Sequence, residues 1–209
     1  PAIKYAIRGF CWYQGESNAG RPDEYAQLQI AQINDWRNKW GQGSLPFLYV
    51  QLPGFMDYNY VPSESNWAKL REGQLKALTV PNTAMAVASD LGEWNDIHPD
   101  NKKDVGDRLA LAALKLSYGE DLFYSGPVYE KAVVDGNKII IQFSHTGSGL
   151  VTNDGEAPAE FAIAGADKKF VWANARIESG KVIVWNDNVK EPLYVRYAWA
   201  DNPVNPNLY

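Results

Sequence analysis

The sequence predicts an α/β fold in which a partial parallel-sheet unit is followed by a β-sandwich domain. Through about residue 120, apolar β-type runs alternate with segments whose apolar residues recur at helical spacing, the pattern of a parallel sheet with crossover helices. After residue 126 that pattern stops, and short β-type runs follow one another between Gly, Asn and Asp turns, as in an all-β sandwich. Only three strands precede residue 120. They make a thin sheet for so many apolar helices, which predicts neighbours from outside this chain.

Residues 5–13 read as a strand of β-branched and aromatic residues. Asp23 opens a helix with apolar residues at Tyr25, Leu28, Ile33, Trp36 and Trp40 and a stop at Gly41. Pro46 precedes a second strand, 47–52, which Pro53-Gly54 breaks. The loop at 55–63 is rich in aromatics (Phe55, Tyr58, Tyr60) and reads either as a flap packed on the domain or as a sugar-binding rim. A helix over 63–78 buries Trp67, Leu70, Leu75 and Leu78, with Arg71 and Glu72 on or near its polar side. Residues 82–89 form a third strand ending at Asp90. The third helix, 100–118, has Asp100 as N-cap and Val105, Leu109, Ala112 and Leu116 at helical spacing.

Beyond a boundary between Tyr118 and Gly126, β-type runs occupy 128–134, 138–143, 160–164, 170–173, 181–185 and 193–199. Asp135-Gly136-Asn137 sits between the first two like a hairpin loop. The expected domains are therefore 1–120 and 121–209, with the Pro-containing tail 201–209 read as a connection. Trp172, Trp185 and Trp199 suit either sugar stacking or the core of a small sandwich.

At 209 residues the chain is long enough to bury a sizeable core, and 45% hydrophobic with 22% charged residues is ordinary for a globular protein. Its net charge of -5 argues against nucleic acid or an anionic membrane as partner, because neither phosphate contacts nor a polybasic anchor is supplied. No apolar run approaches the length of a membrane span. Two distant histidines and one cysteine do not make a zinc site, and no cofactor is expected. The single cysteine, Cys11, cannot form an internal disulfide and reads as a small buried hydrophobe. The chain opens on Pro1 without an initiator Met, so a processed or partial chain is expected.

Two stretches carry chemistry. In the first, Asp90-Leu91-Gly92-Glu93-Trp94-Asn95-Asp96-Ile97-His98-Pro99, a strand ends in an acidic loop that presents a histidine and enters a helix. A carboxylate near a histidine on such a loop is the acid/base half of a hydrolase site, since it orients the imidazole and stabilises its charged form. His98 also reads as a loop residue held by Asp96 or Asp100, and residues 90–98 alone leave both readings open. The other histidine, His145, has no carboxylate beside it in sequence. In the second stretch, Gly9 to Ala19, an apolar run ends in Gln14-Gly15-Glu16-Ser17-Asn18, as a buried parallel strand delivers polar groups at its carboxyl end.

Trp12-Tyr13-Gln14-Gly15-Glu16-Ser17, Leu70-Arg71-Glu72-x-Gln74 and Asp96-Ile97-His98-Pro99-x-Asn101-Lys102 together resemble the sialate O-acetylesterase family of SGNH-type carbohydrate esterases. Phe161-x-Ile163-Ala164-Gly165 and Val195-Arg196-Tyr197-Ala198-Trp199 extend the resemblance over nearly the whole chain. It implies that the first domain is part of an SGNH-hydrolase, flavodoxin-like unit. It also implies a serine that attacks an acetyl carbonyl, a histidine matching His98 that takes its proton, and a central block matching Gln14, Gly15 and Glu16 that lines the site. A backbone N–H or side-chain amide in that block would stabilise the oxyanion. Glu16 could instead tie down its loop.

Many SGNH enzymes place the triad acid three residues before the histidine, where this chain has Asn95; Asp96 is preferred here over Asp90, and a working dyad without either acid is the remaining alternative. For the nucleophile, either Ser17 has taken over the role or the serine lies upstream on a segment outside this chain, which is the favoured reading. Arg71 is a further candidate, among the arginines that could address a substrate carboxylate. The resemblance implies an acetylated carbohydrate as substrate, sialic acid or a related sugar, an upstream segment of the same protein as partner, and a secreted or periplasmic setting. Esters on other polysaccharides such as acetylated xylan are a further substrate class. A non-catalytic glycan-binding or architectural protein on a degenerate esterase frame is the alternative.

Overall fold

Three short parallel strands, β1 (Phe10–Trp12), β2 (Phe47–Val50) and β3 (Thr83–Ala86), form one sheet in the order β1-β2-β3. Phe10 stands opposite Phe47, and Phe47 opposite Thr83. The computed structural model describes residues 2–209, which divide into two units: residues 2–54 with Asn66–Ser125, and Phe55–Ser65 with Gly126–Tyr209.

In the first unit every residue of β2 and β3 is buried, as expected of strands covered on both faces. One face packs against α1 (Tyr25–Trp40) through a cluster of Phe10, Ile33, Phe47, Tyr49 and Met85, with Trp36 and Trp40 at its margin. The Phe10 ring meets Trp40 edge-on at 5.0 Å, an arrangement aromatic quadrupoles favour. The other face packs against α3 (Lys102–Tyr118), where Leu48, Ala84 and Ala112 meet. Each fully buried side chain of the size of Leu or Phe contributes about 2 kcal/mol through removal of apolar surface from water. Gly41 and Gly119 end α1 and α3 in the left-handed region, at φ 65° and 75°, where a Cβ would cost energy.

Several boundaries differ from expectation. The strand expected over 5–13 shrinks to Phe10–Trp12, because only those residues pair with β2. Cys11 is exposed rather than buried: β1 is an edge strand, and the side chains of an edge are not all covered. The N-cap of α3 is Asn101, whose side chain accepts from the Asp104 N–H, and not Asp100. Leu28 and Leu75, expected in the core, are exposed.

α2 (Asn66–Lys76) corrects the placement of Arg71. Trp67, Leu70, Arg71 and Gln74 lie at i, i+3, i+4 and i+7, one stripe of a helix, and all four are buried, Arg71 to 5% exposure.

The second unit holds two antiparallel sheets. β4 (Val128–Asp135), β5 (Lys138–Ser144), β8 (Asn174–Glu178) and β9 (Lys181–Trp185) form one, in the order β4-β5-β9-β8. β6 (Phe161–Ala164), β7 (Val171–Trp172) and β10 (Tyr194–Tyr197) form the other, in the order β10-β6-β7. Ile139, Ile141, Val182 and Val184 of the first sheet share a core with Phe161 and Ile163 of the second, the packing of a sandwich. β8 was not anticipated, since Asn174 and Arg176 interrupt its apolar pattern.

Segment 55–65 belongs to this unit: Trp172 Nε1 donates to the Tyr60 carbonyl at 2.9 Å, and Arg196 pairs with Glu64 at 2.8 Å. Trp172 is thus half-buried with its ring nitrogen committed, while Trp185 and Trp199 lie under the guanidinium groups of Arg176 and Arg196. The tail 201–209 is not a loose connection. Leu208 bridges to Thr152, and buried Asn207 donates to the carboxylate of Asp154 and to the Ala157 carbonyl.

Candidate active site

Both motif stretches leave the carboxyl ends of parallel strands, β1 and β3, so the topology itself delivers them to one end of the sheet. Tyr13, just beyond β1, and Leu91, in the loop after β3, pack against one cluster of Val50, Ala88 and Val105. Lys102, at the start of α3, lies 5.6 Å from the Tyr13 ring centroid, and its Nζ donates to the Pro99 carbonyl. Tyr13, which leads into the Gln14–Glu16 block, is thereby held beside Leu91 and Lys102, which flank the His98 loop.

The His98 loop is built tightly. Glu93 and Asp96 form an antiparallel bridge around a turn with Trp94 and Asn95 at its tip. Glu93 Oε1 accepts from the Asp100 N–H at 2.7 Å, and Asp96 Oδ1 accepts from the His98 N–H at 2.7 Å. Gly92 sits against the backbone that follows β2, where an added Cβ would lie 1.9 Å from the Gly54 carbonyl oxygen. His98 is exposed, and its imidazole makes no hydrogen bond among the described residues. Asp90, the other candidate acid, lies in the turn four residues beyond β3, with both carboxylate oxygens 2.6 Å from the guanidinium of Arg108.

In the other block, Gly15 is buried, and a Cβ there would come within 2.9 Å of Leu70 and 3.1 Å of Leu52. Its N–H donates to Glu16 Oε2 at 2.8 Å, so Glu16 clasps the loop. Gln14 Nε2 donates to Asn18 Oδ1 at 2.7 Å. Burial, and secondarily the charge of Glu16, push the Tyr13 phenol up to about 12. Ser17 lies in a short 3-10 turn, Glu16–Asn18, exposed and without a hydrogen bond from its hydroxyl among the described residues. Ser17 and His98 are therefore not hydrogen-bonded to each other.

Gln74 ties the block to its scaffold. Its side chain accepts from the Leu52 N–H at 2.9 Å and donates to the carbonyls of Val50 at 3.0 Å and Gln14 at 3.3 Å. Tyr25 adds a bond from its hydroxyl to the Gln14 carbonyl at 2.8 Å. In the sequence Gln74 stands out only as part of the Leu70-Arg71-Glu72-x-Gln74 motif. The available signal was its spacing from Trp67 and Leu70, which puts an amide on a buried helical stripe. Among the described residues, no group of three or more His, Cys, Asp and Glu side chains could hold a metal ion.

The family described as carbohydrate esterases, sialic acid-specific acetylesterases, matches residues 1–115. The chain belongs to this family. Members of the sialate O-acetylesterase family similar to it include the sialate O-acetylesterase of Rattus norvegicus, 35% identical over 97% of this chain and 41% of the relative. The enzyme of the same name from Homo sapiens is 34% identical over 69% of this chain and 31% of its own length. A solved carbohydrate acetylesterase from Xanthomonas citri superposes with a TM-score of 0.95 at 45% identity, over 100% of this chain and 49% of that one. The chain thus spans about two fifths of the rat relative. As a sialate O-acetylesterase family member, its first unit is a partial SGNH-type sheet and its second a β-sandwich.

Proposed function

We propose that this chain is part of a carbohydrate O-acetylesterase, with His98 as general base and a serine supplied from outside residues 1–209. The observation that carries the reading is the convergence of the Gln14–Glu16 block and the His98 loop at the carboxyl end of the parallel sheet. In the proposed reaction the serine hydroxyl attacks the acetyl carbonyl carbon while His98 takes its proton. The tetrahedral intermediate collapses, and the sugar oxygen leaves with that proton as an alcohol. Water then attacks the acyl-enzyme, again giving a proton to His98, and acetate departs as the serine is restored.

Asp96 is the acid assigned to His98. Its Oδ1 already holds the loop, and its Oδ2 stays available to an imidazole N–H, whereas both oxygens of Asp90 are engaged by Arg108. Because Glu16 takes the Gly15 N–H, the second amide hydrogen of Gln14 is the donor assigned to the oxyanion from this block. Buried Arg71 is given no role toward the substrate. We assign residues 1–120, apart from segment 55–65, which packs with the second unit, to the catalytic portion, the rest of the chain from about residue 121 to the β-sandwich domain, and sialic acid or a related acetylated sugar to the substrate.

The absence of a Ser17–His98 bond supports an outside nucleophile, and it also favours the second reading, a glycan-binding protein on a degenerate esterase frame. A fluorophosphonate probe on the native protein, with an aryl-acetate assay and peptide mapping, separates them. Label outside this sequence, with hydrolysis lost in His98→Ala, is the expected result. Label at Ser17 would overturn the assignment of the nucleophile, and glycan affinity without hydrolysis would favour the second reading.

A further inference from the structure

We infer that Asn18 and Tyr25 are positioning residues for the Gln14 carboxamide, holding its nitrogen and oxygen ends so that the remaining amide hydrogen is presented to the oxyanion. The inference rests on the reading of Gln14 as the oxyanion donor. A carboxamide is nearly symmetric in shape, and half a turn about its terminal torsion exchanges two donors for an acceptor. Such a group stabilises a developing negative charge in one orientation and repels it in the other. The block must therefore fix the turn.

Asn18 Oδ1 takes one hydrogen of Gln14 Nε2 at 2.7 Å. Asn18 is itself anchored at both main-chain groups: its N–H donates to the Gly15 carbonyl and its carbonyl accepts from the Arg21 N–H, each at 2.8 Å. At the other end the Tyr25 hydroxyl donates to the Gln14 carbonyl at 2.8 Å and lies 3.3 Å from Gln14 Oε1. Half a turn of the Gln14 amide alone would set two oxygens 2.7 Å apart at Asn18 and bring an N–H group against the Tyr25 O–H.

Tyr25 is suited to this task by burial. It is 3% exposed at the first residue of α1, and that burial raises its phenol, so the hydroxyl keeps its proton and remains a donor. Gln74 donates to the same Gln14 carbonyl at 3.3 Å, which fixes the main chain from which the carboxamide extends. The contacts come from the Glu16–Asn18 turn, α1 and α2, so three separate elements hold one side chain and its backbone.

The test is a double-mutant cycle on the native protein, read as kcat and KM for an aryl acetate. Gln14→Leu, which keeps the bulk and removes the amide, is expected to lower kcat about a hundredfold. Asn18→Ala and Tyr25→Phe are each expected to lower kcat about tenfold with KM within about twofold, since they misplace the donor without removing it. In the Gln14→Leu background either change is expected to lower kcat by less than about twofold, because no amide is left to orient. An unchanged kcat in both single variants, a change confined to KM, or the same loss with and without Gln14 would each overturn the inference. Asn18 is only half-buried, so Asn18→Ala carries the test if Tyr25→Phe does not fold. Full turnover in Gln14→Leu would overturn the oxyanion assignment itself. The clamp is then read from the Gln14 side-chain amide signals, whose two hydrogens should exchange with solvent at different rates in the parent and at equal rates in Asn18→Ala; equal rates in both would overturn the clamp as well.

Discussion

Asp96 Oδ1 accepts a 2.7 Å hydrogen bond from the backbone N–H of His98, two residues on, and leaves the imidazole exposed. The carboxylate therefore shapes the loop before it touches the base. Asp96→Asn keeps a carbonyl oxygen for that bond, while Asp96→Ala removes it at a local cost of about 1 kcal/mol. Hydrogen exchange at the His98 amide should accelerate in Asp96→Ala and stay near the unchanged rate in Asp96→Asn. Equal exchange in all three proteins would show that the bond does not form in solution.

Gly92 has no room for a side chain. Its Cβ position lies 1.9 Å from the Gly54 carbonyl oxygen and 2.6 Å from the Gly54 nitrogen, both backbone atoms that cannot rotate away. Gly92→Ala should cost at least about 2 kcal/mol, since relief requires moving one of two loops. Denaturant unfolding measures this. An alanine variant as stable as the parent would mean that the loops do not pack this closely.

Gln74 is 1% exposed and serves a donor and two carbonyls with one amide. Gln74→Leu keeps the volume but strips the Leu52 N–H and the Val50 carbonyl of a buried partner, a loss of about 3 kcal/mol. Gln74→Glu retains the acceptor and, only where its carboxyl is protonated, one O–H donor for a carbonyl, so its unfolding midpoint should be intermediate at acidic pH and fall further at neutral pH. Midpoints measured at acidic and neutral pH decide this.

Asp90 and Arg108 form a two-pronged ion pair with side chains 16% and 27% exposed. Removing one partner strands the other partly out of water, so Asp90→Ala should lower stability by about 2 kcal/mol. If the proposed assignment of Asp96 holds, the folded Asp90→Ala protein keeps its ester hydrolysis per molecule. Loss of turnover without loss of stability would move the triad acid to Asp90.

Tyr13, together with Tyr25 and Tyr49, whose phenols burial also pushes up, should lower the stability of the first unit at alkaline pH. The folded Tyr13 phenol is pushed up to about 12 by burial and then by the charge of Glu16, above the ordinary tyrosine value of 10.0. The folded state thus holds the proton more tightly than the unfolded chain. Its contribution to stability is intact below pH 10 and declines as pH rises toward 12. Phenolate absorbance should show one fewer late-titrating tyrosine in Tyr13→Phe, and Glu16→Gln should shift Tyr13 downward. An unchanged titration in Glu16→Gln would remove Glu16 as a cause.

The order of strands and helices was legible because it depends on neighbours in the chain. Alternating apolar runs, the stops at Gly41 and Gly119 and the turn at Gly136 are local signals, and the elements formed around them. The family was legible for a similar reason: Gln14-Gly15-Glu16 and Asp96-Ile97-His98-Pro99 are contiguous blocks whose identity needs no folding.

Which of those polar groups the scaffold consumes depends on partners distant in sequence, and only the tertiary structure decided it. Gln74 reaches Gln14 across sixty residues, Arg108 reaches Asp90 across eighteen, and Asn207 reaches Asp154 across fifty-three. Arg71 reads as a surface residue in the sequence but lies on the buried stripe of α2, and Cys11 reads as core but lies on β1, an edge strand. Residue type and spacing determined which groups this protein carries to the end of its sheet. Desolvation and hydrogen-bond geometry, which exist only once the chain has folded, determined which of them stay free to meet a substrate.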